Sequence, residues 1–423
     1  MKKHIAALLM GGAIAAGSII GLTGCGGDDG IKLTVWGSAA QQDTLKEMVE
    51  EFKAANPDTK YNIKVGIGEE DMAYSNVSKD PSAAADVYAY ANDQLIPLLR
   101  VGALAKLGGT FLETVKAENS AESVEAATLD IGSEKDGIYG YPFASDNGYF
   151  MYYDKSVVSD EQAATLEGII AACEGANKKI AWALDVPWYT AGWFFAYDCG
   201  YDVEYNDKLV ETKVEIDFND EVKGIKASKA MAKLTSSKAF AGKGTSDSTI
   251  ITGFTTHQTA VAVSGTWNAL KIKDILGDDY GVCKLPTVDV DGTPTQLSSF
   301  NGYKLFGVNP HSSNLVEAHR LAAFLSNGNM QQKRFDKHLI GPTNITVANN
   351  SDVKNDATFA ALTAQSAFAV PQTSVPSNFW EPLKNYALNI IDDLVSEEGG
   401  GGKLSYKTQL DKMVNLIKGS VTA

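Results

Sequence analysis

Apolar residues recur along the chain with two alternating periods, which predict strands and helices in turn. Residues 32–36 alternate as a strand that ends at Gly37. A helix ended by Pro57 follows, because apolar residues recur at i, i+3, i+4 and i+7: Leu45, Met48, Val49 and Phe52. Further strands are predicted at residues 63–67, 86–90, 139–145, 149–154, 179–184 and 259–264. This alternation is typical of βαβ units, in which helices cover the faces of a parallel sheet.

Helices are predicted to dominate the last part of the chain. The helical segments expected are 95–100, one that begins near Ser159, 314–325, 379–394 and 408–418. Ser159 and Gln162 have the spacing of a capping box, which marks the start of a helix. The glycine tract at 399–402 predicts a mobile surface loop between two helices.

Length and charge limit the classes of protein to consider. A chain of 423 residues exceeds the size to which one hydrophobic core usually grows, so two lobes are expected. Hydrophobic residues make up 44% and charged residues 21%, which excludes disorder as the main state. The formal net charge of -15 argues against a nucleic-acid partner, which requires a basic surface.

The N-terminus has the features of an export signal. Lys2 and Lys3 precede the apolar residues 5–22, and the run ends in Leu-Thr-Gly-Cys25, which resembles the lipobox of bacterial lipoproteins. We therefore expect residues 1–24 to be a lipoprotein signal peptide, Cys25 to be the lipidated residue, and 25–30 to form a flexible tether. A single transmembrane anchor is the alternative, because a run of about 18 apolar residues reaches the lower end of the spanning range.

Neither a metal site nor a cofactor is indicated. If Cys25 carries lipid, Cys173, Cys199 and Cys283 remain, so at most one disulfide can form. These cysteines form no C-x-x-C pair, and the five histidines are scattered, so neither a zinc site nor a nucleophilic cysteine is predicted. Buried structural thiols are expected instead.

Polar and aromatic side chains follow the predicted strands. Ligands of open α/β sheets bind beyond the carboxyl ends of the strands, where this chain places Gln41, Gln42, Tyr90, Asp93, Asp146, Trp188 and Trp267. Aromatic rings stack on the apolar face of a pyranose, and carboxylates accept hydrogen bonds from its hydroxyls. The combination favours carbohydrate binding. Trp188 either lines a cleft or packs in the core, whereas residues 193–195 are expected in the core.

Several segments, in this order, resemble the maltose and maltodextrin-binding proteins of ABC importers. They are the lipobox, Leu33-Thr34-Val35-Trp36-Gly37, Ala85-Asp86-Val87, Gly140-Tyr141-Pro142, Val263-Ser264-Gly265-Thr266-Trp267, Gly281-Val282, Leu285-Pro286 and Phe300-Asn301-Gly302-Tyr303. The resemblance covers nearly the whole mature chain. It implies an α/β, two-lobed periplasmic-binding-protein fold that is type II-like, in which each lobe is a central sheet flanked by helices and the ligand lies in a cleft between the lobes.

The resemblance also implies the site residues. The aromatic platforms of that family fall on Tyr90, Trp188, Trp267 and Trp380, and its hydroxyl-binding carboxylates fall on Asp93 and Asp146. The chain departs from the family at Gln41 and Gln42, where a charged pair is usual, and at Gln94, where an Arg is usual. These departures leave the identity of the sugar open.

The same resemblance suggests how the chain divides. The N-terminal lobe is expected to contain residues 31–144 and 301–346, and the C-terminal lobe residues 145–300 and 347–423. Gly302 lies near one crossing, where it serves either as a hinge or as a position of close backbone approach.

The expected function is capture without chemistry. We expect a monomeric lipoprotein on the extracytoplasmic face of the cell membrane that captures maltose or maltooligosaccharides and delivers them to the permease subunits of an ABC importer. The alternatives are a glycoside hydrolase that uses Asp93 and Asp146 as acid and base, and a binding protein for a different oligosaccharide or for another solute such as a peptide.

Overall fold

The computed structural model describes residues 30–129, 131, 136–419 and 421. The predicted signal peptide and Cys25 lie outside these residues. The strands are β1 (Ile31–Gly37), β2 (Tyr61–Ile67), β3 (Val87–Ala91), β4 (Thr128–Leu129), β5 (Gly137–Ile138), β6 (Tyr141–Ala144), β7 (Phe150–Asp154), β8 (Lys179–Ala181), β9 (Tyr201–Tyr205), β10 (Glu211–Ile216), β11 (Thr259–Ser264), β12 (Tyr280–Cys283), β13 (Thr287–Val290), β14 (Thr293–Gln296), β15 (Ser299–Asn301), β16 (Lys304–Val308), β17 (Ala369–Pro371), β18 (Val395–Ser396) and β19 (Leu404–Ser405).

Helices separate most of these strands. They are α1 (Gln42–Ala55), α2 (Ala73–Val77), α3 (Leu95–Arg100), α4 (Gly109–Glu118), α5 (Ala121–Ala126), α6 (Asp160–Ala163), α7 (Leu166–Gly175), α8 (Pro187–Phe195), α9 (Lys223–Thr235), α10 (Asp247–Thr255), α11 (Ala269–Leu276), α12 (Leu315–Leu325), α13 (Gly328–His338), α14 (Ile345–Ala348), α15 (Ser351–Asn355), α16 (Ala357–Ser366), α17 (Trp380–Ile391) and α18 (Tyr406–Lys418).

The first sheet has the strand order β2-β1-β3-β16-β6. β1 runs parallel to β2 and β3, as the βαβ pattern predicts, whereas β16 is antiparallel to both of its neighbours. The sheet is therefore mixed rather than wholly parallel. One hydrophobic cluster packs this sheet against α1 and α12, and it includes Leu33, Phe52, Tyr90 and Leu321.

The second sheet has the order β12-β7-β11-β8. β11 is parallel to β8 and antiparallel to β7, which in turn is antiparallel to β12. A second cluster packs it against α7 and α8 and continues into α17 and α18, so the C-terminal helices complete this half of the molecule. The predicted lobe boundaries stay a prediction, because a third cluster packs Phe335 and Leu339, predicted in the N-terminal lobe, with Phe150 of the second sheet.

The helical faces predicted from periodicity are buried as expected. The buried residues of α1 include Leu45, Met48, Val49 and Phe52. Burying one such side chain contributes roughly 1.5–3 kcal/mol, so this apolar face holds the helix on the sheet. At the start of α6, Ser159 and Gln162 form the predicted capping box, with hydrogen bonds of 3.0 and 3.2 Å.

Several local predictions need correction. The tract at 399–402 joins two short paired strands, β18 and β19, rather than two helices directly, and all four glycines have positive φ. The strand predicted at 179–184 ends at Ala181. The chain then turns toward α8, and this turn is held by the Thr190 hydroxyl, which donates to the Leu184 carbonyl at 2.7 Å.

The prediction of buried thiols is confirmed for two of the three cysteines in the described chain. Cys173 and Cys199 are buried and Cys283 is half-buried, and all three are free thiols. Burial raises the pKa of each thiol to about 12, so these groups stay protonated at neutral pH.

Candidate functional site

Trp188 and Trp267 come together at one edge of the second sheet. Trp188 lies in the first turn of α8, which follows β8, and Trp267 lies in the helical turn after β11. Because β8 and β11 are parallel neighbours, the residues that follow them meet at the same sheet edge. The two ring centroids are 6.2 Å apart, with 40° between the planes.

Hydrogen bonds hold both indoles by their polar edges. Trp188 Nε1 donates to Gln372 Oε1 at 2.8 Å, and Trp267 Nε1 donates to Asp247 Oδ1 at 3.0 Å. The Trp267 ring lies directly against Gly265, where a Cβ would come within 2.0 Å of the ring. Both rings are half-buried, so the site holds two oriented aromatic surfaces whose N–H groups are already satisfied.

The other two predicted platforms, Trp380 and Tyr90, have different surroundings. Trp380 begins α17 and packs against Phe300 and Phe379, with ring centroids 6.0 and 5.1 Å away. Its ring is half-buried at the margin of the second core. Residues 193–195 are buried in that core, as predicted.

Tyr90 departs from the expectation that its ring faces a cleft. It lies on β3, every residue of which is buried, and its ring is 0% exposed. A Cβ at Gly140 would meet the Tyr90 hydroxyl at 2.5 Å, and one at Gly307 would meet the ring at 3.1 Å. The expectation came from the family resemblance and from the position at the end of a strand, but β3 is a central strand whose residues are all buried.

Asp93 lies in the turn after β3 and has an incomplete set of hydrogen bonds. Its Oδ1 is buried and has no hydrogen-bond partner in the described part of the chain. Burial raises the pKa of this carboxyl to about 7; Asp71 adds to the rise, and a hydrogen bond from the Gln372 side chain opposes it. A buried acceptor without a donor is costly, so this oxygen is well suited to receive a hydroxyl from a ligand.

Asp146 is engaged by the protein itself. Its side chain is 1% exposed, and Oδ1 lies 3.1 Å from Lys304 Nζ. Its Oδ2 accepts a hydrogen bond of 2.5 Å from the Thr266 hydroxyl. Lys304 Nζ also lies 5.5 Å from the centroid of the Trp267 ring. The predicted carboxylate is therefore part of an ion pair beside the tryptophans.

Lys304 was not predicted from the sequence, although a lysine that opens an apolar strand is a detectable signal. Burial by itself lowers the pKa of Lys304, but the carboxylates of Asp146 and Glu70 outweigh burial and raise the pKa above its ordinary value. Lys304 therefore stays charged, and it links β16 of the first sheet to Thr266 beyond β11 of the second through Asp146.

The two glutamines after β1 have different surroundings. Gln42 donates from Nε2 to the carbonyls of Gly37 at 2.8 Å and Gly66 at 3.1 Å, so its amide links the end of β1 to the end of β2. Gln41 is half-buried and lines a small cavity together with Glu70 and Arg334. Gln42 is thus committed to the fold, while Gln41 faces charged groups of the first lobe.

Chain segments between the two sheets run beside the site. Asn147 follows β6, and Gly302 precedes β16; a Cβ at Gly302 would come within 2.6 Å of Asn92 Oδ1 and 3.0 Å of Asn147 Nδ2. Gly302 is not among the residues with positive φ in the described chain. Close approach, the second of the two interpretations of Gly302, therefore accounts for the absence of a side chain there.

No metal cluster accompanies these groups: within residues 30–129, 131, 136–419 and 421, no three His, Cys, Asp or Glu side chains are placed to hold an ion. The helices of the same residues include none with the length and apolar character needed to cross a membrane.

Comparisons with known proteins agree with this architecture. The family model of bacterial extracellular solute-binding proteins matches residues 47–361. A galactooligosaccharide-binding protein of Bacillus subtilis (strain 168) is 24% identical over an alignment of 413 positions, which covers 93% of this chain and 90% of that protein.

Solved structures are also similar. One structure with acarbose is 30% identical, with a TM-score of 0.79 and coverage of 92% of this chain and 99% of that chain. The maltodextrin-binding protein MalE1 of L. casei BL23, without ligand, is 25% identical, with a TM-score of 0.75 and coverage of 92% and 100%. The predicted two-lobed periplasmic-binding-protein fold is confirmed. The family and these binding proteins are solute-binding proteins, not enzymes.

Proposed function

This chain belongs to the family of bacterial extracellular solute-binding proteins, and we propose that it captures maltose and maltooligosaccharides for an ABC importer. The observation that carries the proposal is the oriented pair Trp188 and Trp267, with the unpartnered Asp93 Oδ1 as an available acceptor. Sugar rings stack on the indoles through their C–H faces, and their hydroxyls donate to the carboxylate.

The relatives support an oligosaccharide ligand but differ in the sugar. One is a maltodextrin-binding protein and another a galactooligosaccharide-binding protein. Galactooligosaccharides are therefore the second candidate. Indole stacking alone does not separate them from α-glucans, because both present apolar ring faces.

The proposed mechanism is closure around the sugar. The N-terminal lobe (31–144 and 301–346) carries Asp93, and the C-terminal lobe (145–300 and 347–423) carries the tryptophans. Sugar stacks first on Trp188 and Trp267, with Trp380 as an outer platform, and closure then brings Asp93 to its hydroxyls. A ligand that touches both lobes binds the closed state better and shifts the population toward it.

Calorimetry with a panel of sugars tests the ligand class. The panel is glucose, maltose, maltotriose, longer maltooligosaccharides, galactooligosaccharides and xylo-oligosaccharides. We expect maltooligosaccharides of two or more units to bind and glucose to bind poorly, since two platforms cover more than one ring. Binding of galactooligosaccharides alone would replace the proposed ligand with the second candidate. New reducing ends after incubation would favour the hydrolase alternative.

Replacing Trp267 with Ala should weaken maltotriose binding by about 1 to 3 kcal/mol, because the change removes one stacking surface. Isothermal titration measures the loss. The control is Trp193→Phe on α8, the helix that carries Trp188; Trp193 is 1% exposed, so this change should lower the melting temperature and leave affinity unchanged. An unchanged affinity in Trp267→Ala would place that ring outside the site.

We also propose that the protein is a monomeric lipoprotein held at the extracytoplasmic face of the membrane through Cys25, where it meets the permease subunits. Two acyl chains give stable anchoring, each buried CH₂ contributing about 0.8 kcal/mol. Cys25→Ser should therefore be exported and recovered in the soluble fraction with unchanged sugar affinity. Fractionation followed by intact-mass measurement checks this. Wild-type protein that retains residues 1–24 would refute the assignment.

A further inference from the structure

The Trp267 indole is fixed at both ends of its ring system. At the six-membered ring, a Cβ at Gly265 would come within 2.0 Å of Cζ3, so the backbone there lies directly against the ring. At the five-membered ring, Nε1 donates to Asp247 Oδ1 at 3.0 Å. Gly265 directly precedes the helical turn that carries Trp267, whereas Asp247 is the first residue of α10. The orientation of this platform therefore depends on a residue 20 positions away in the sequence.

Asp247 is itself held by the turn that it supports. Its Oδ1 also accepts from Asn268 Nδ2 at 2.6 Å and from Ser264 Oγ at 3.3 Å. Asn268 and Ser264 are buried, and Asn268 Nδ2 donates to Ser264 Oγ at 3.0 Å. Ser246 forms a capping box with Thr249 at the start of α10, which fixes the backbone of Asp247. One carboxylate oxygen thus receives three donors, which leaves the side chain little freedom to rotate.

The second oxygen of Asp247 is available to a ligand. No hydrogen bond from the described residues reaches Oδ2, and Asp247 is exposed. Because both oxygens belong to one carboxylate, Oδ2 lies beside the same edge of the indole that Oδ1 holds. A pyranose stacked on an aromatic face presents its hydroxyls around its rim, so a hydroxyl near Nε1 meets this oxygen. A carboxylate that accepts such a hydroxyl forms a charge-assisted hydrogen bond, which is stronger than one between neutral groups.

We propose that Asp247 is a sugar-binding residue with two roles: Oδ1 positions the Trp267 indole, and Oδ2 accepts a hydroxyl of the sugar ring stacked on it. The proposal rests on the proposed function, because the ligand is the sugar proposed there. It adds a carboxylate beside the tryptophans, where Asp146 is already engaged by Lys304. The ligand class is a neutral saccharide, because an acidic group on the sugar would face the Asp247 carboxylate.

Two replacements of Asp247 separate the two roles. Asp247→Asn keeps a carbonyl oxygen for the three donors and puts an NH₂ group in place of Oδ2, so the indole stays positioned and the sugar loses its acceptor. Asp247→Ala removes both oxygens. Ser248→Ala, at an exposed neighbour in the same helical turn, is the control. The Trp267 signal is the difference in fluorescence and iodide quenching between each protein and its Trp267→Phe counterpart, recorded without sugar. Titration calorimetry measures the affinity for maltotriose.

We expect Asp247→Asn to retain the wild-type Trp267 signal and to bind maltotriose about 10- to 100-fold more weakly, because a hydrogen bond to a charged group is lost. Asp247→Ala should change the Trp267 signal and bind at least as weakly. Ser248→Ala should match the wild type in both measurements. In the Trp267→Ala background, Asp247→Asn should weaken binding less than about threefold, because the sugar ring that meets Oδ2 is no longer held there.

Wild-type affinity in Asp247→Asn, or a wild-type Trp267 signal in Asp247→Ala, would overturn the proposal. An equal loss of affinity with and without the Trp267 ring would also overturn it, since the hydroxyl would then not belong to a sugar stacked on that indole. If the wild type does not bind maltotriose, the proposed ligand is wrong, and the same variants are compared with galactooligosaccharides. Absence of binding to either sugar would contradict the proposed function and the sugar contact together, whereas the sugar-free Trp267 signal would still decide the positioning role.

Discussion

Replacing Lys304 with Met is expected to lower the free energy of unfolding by about 3 to 5 kcal/mol at neutral pH, because it leaves a buried carboxylate without its counter-charge. The Asp146 side chain is 1% exposed, and among the described residues it would keep only the Thr266 hydroxyl as a partner. Met matches the length of the lysine stem, so the loss reports on charge more than on packing. Chemical denaturation at pH 7 measures the effect.

A double variant tests whether the loss of stability comes from the unpaired buried charge of Asp146. Lys304→Met combined with Asp146→Asn removes both charges, so most of the lost stability should return. An exposed pair provides the matched control: Lys46 Nζ lies 3.2 Å from Asp43, with side chains 59% and 96% exposed. Lys46→Met should change stability by less than about 1 kcal/mol. Equal effects of the two lysine replacements would contradict the importance of burial.

The parts of the fold that the sequence predicted are those with a strong local pattern. β1, α1 and α18 each bury one regular set of side chains, whereas β11 is an apolar run that is buried along its whole length. Their predicted bounds lie within a few residues of the observed ones. The hairpins β9–β10 and β13–β14 were missed. β9 alternates Tyr201, Val203 and Tyr205 with two acidic residues, so the pattern of a half-buried strand was present and was overlooked. β10 buries only Val214 and Ile216, so its alternation is confined to the last three residues.

The residues of the candidate site that follow strands were predictable from the sequence. Those placed by contacts between residues far apart in the sequence were not. Trp188 and Trp267 lie beyond parallel neighbouring strands, a relation that the strand pattern implies. Lys304 forms an ion pair with Asp146, and Gln372 accepts a hydrogen bond from Trp188. The two residues of each pair are remote in sequence, so no local pattern predicts that they meet. Tyr90 shows the reverse case: it was predicted from the end of a strand, but the packing of β3 places its ring in the core.

Asp93 is expected to make the protein progressively less stable as the pH rises from about 4 to 7. Burial raises the pKa of this carboxyl from its usual 3.8 to about 7 in the folded state. Between these values the folded protein holds a proton that the unfolded chain has lost. The favourable contribution is therefore fully present below about pH 4 and is lost as the pH rises through about 7. One pKa unit corresponds to about 1.4 kcal/mol, so the loss amounts to at most about 4 kcal/mol.

Asp93→Asn should remove this dependence, because the amide carries no titrating proton and stays neutral when buried. Melting temperatures of both proteins are measured from pH 4 to 8.5. The melting temperature of the variant minus that of the wild type should rise steadily up to about pH 7 and stay constant above it. Asp58→Asn, on an exposed turn, is the control and should follow the wild type throughout. If the curves of Asp93→Asn and the wild type run parallel from pH 4 to 7, Asp93 is ionised in the fold at low pH. Its unpartnered Oδ1 then already has a compensating donor, and the role of this oxygen as a free acceptor for sugar hydroxyls would have to be abandoned.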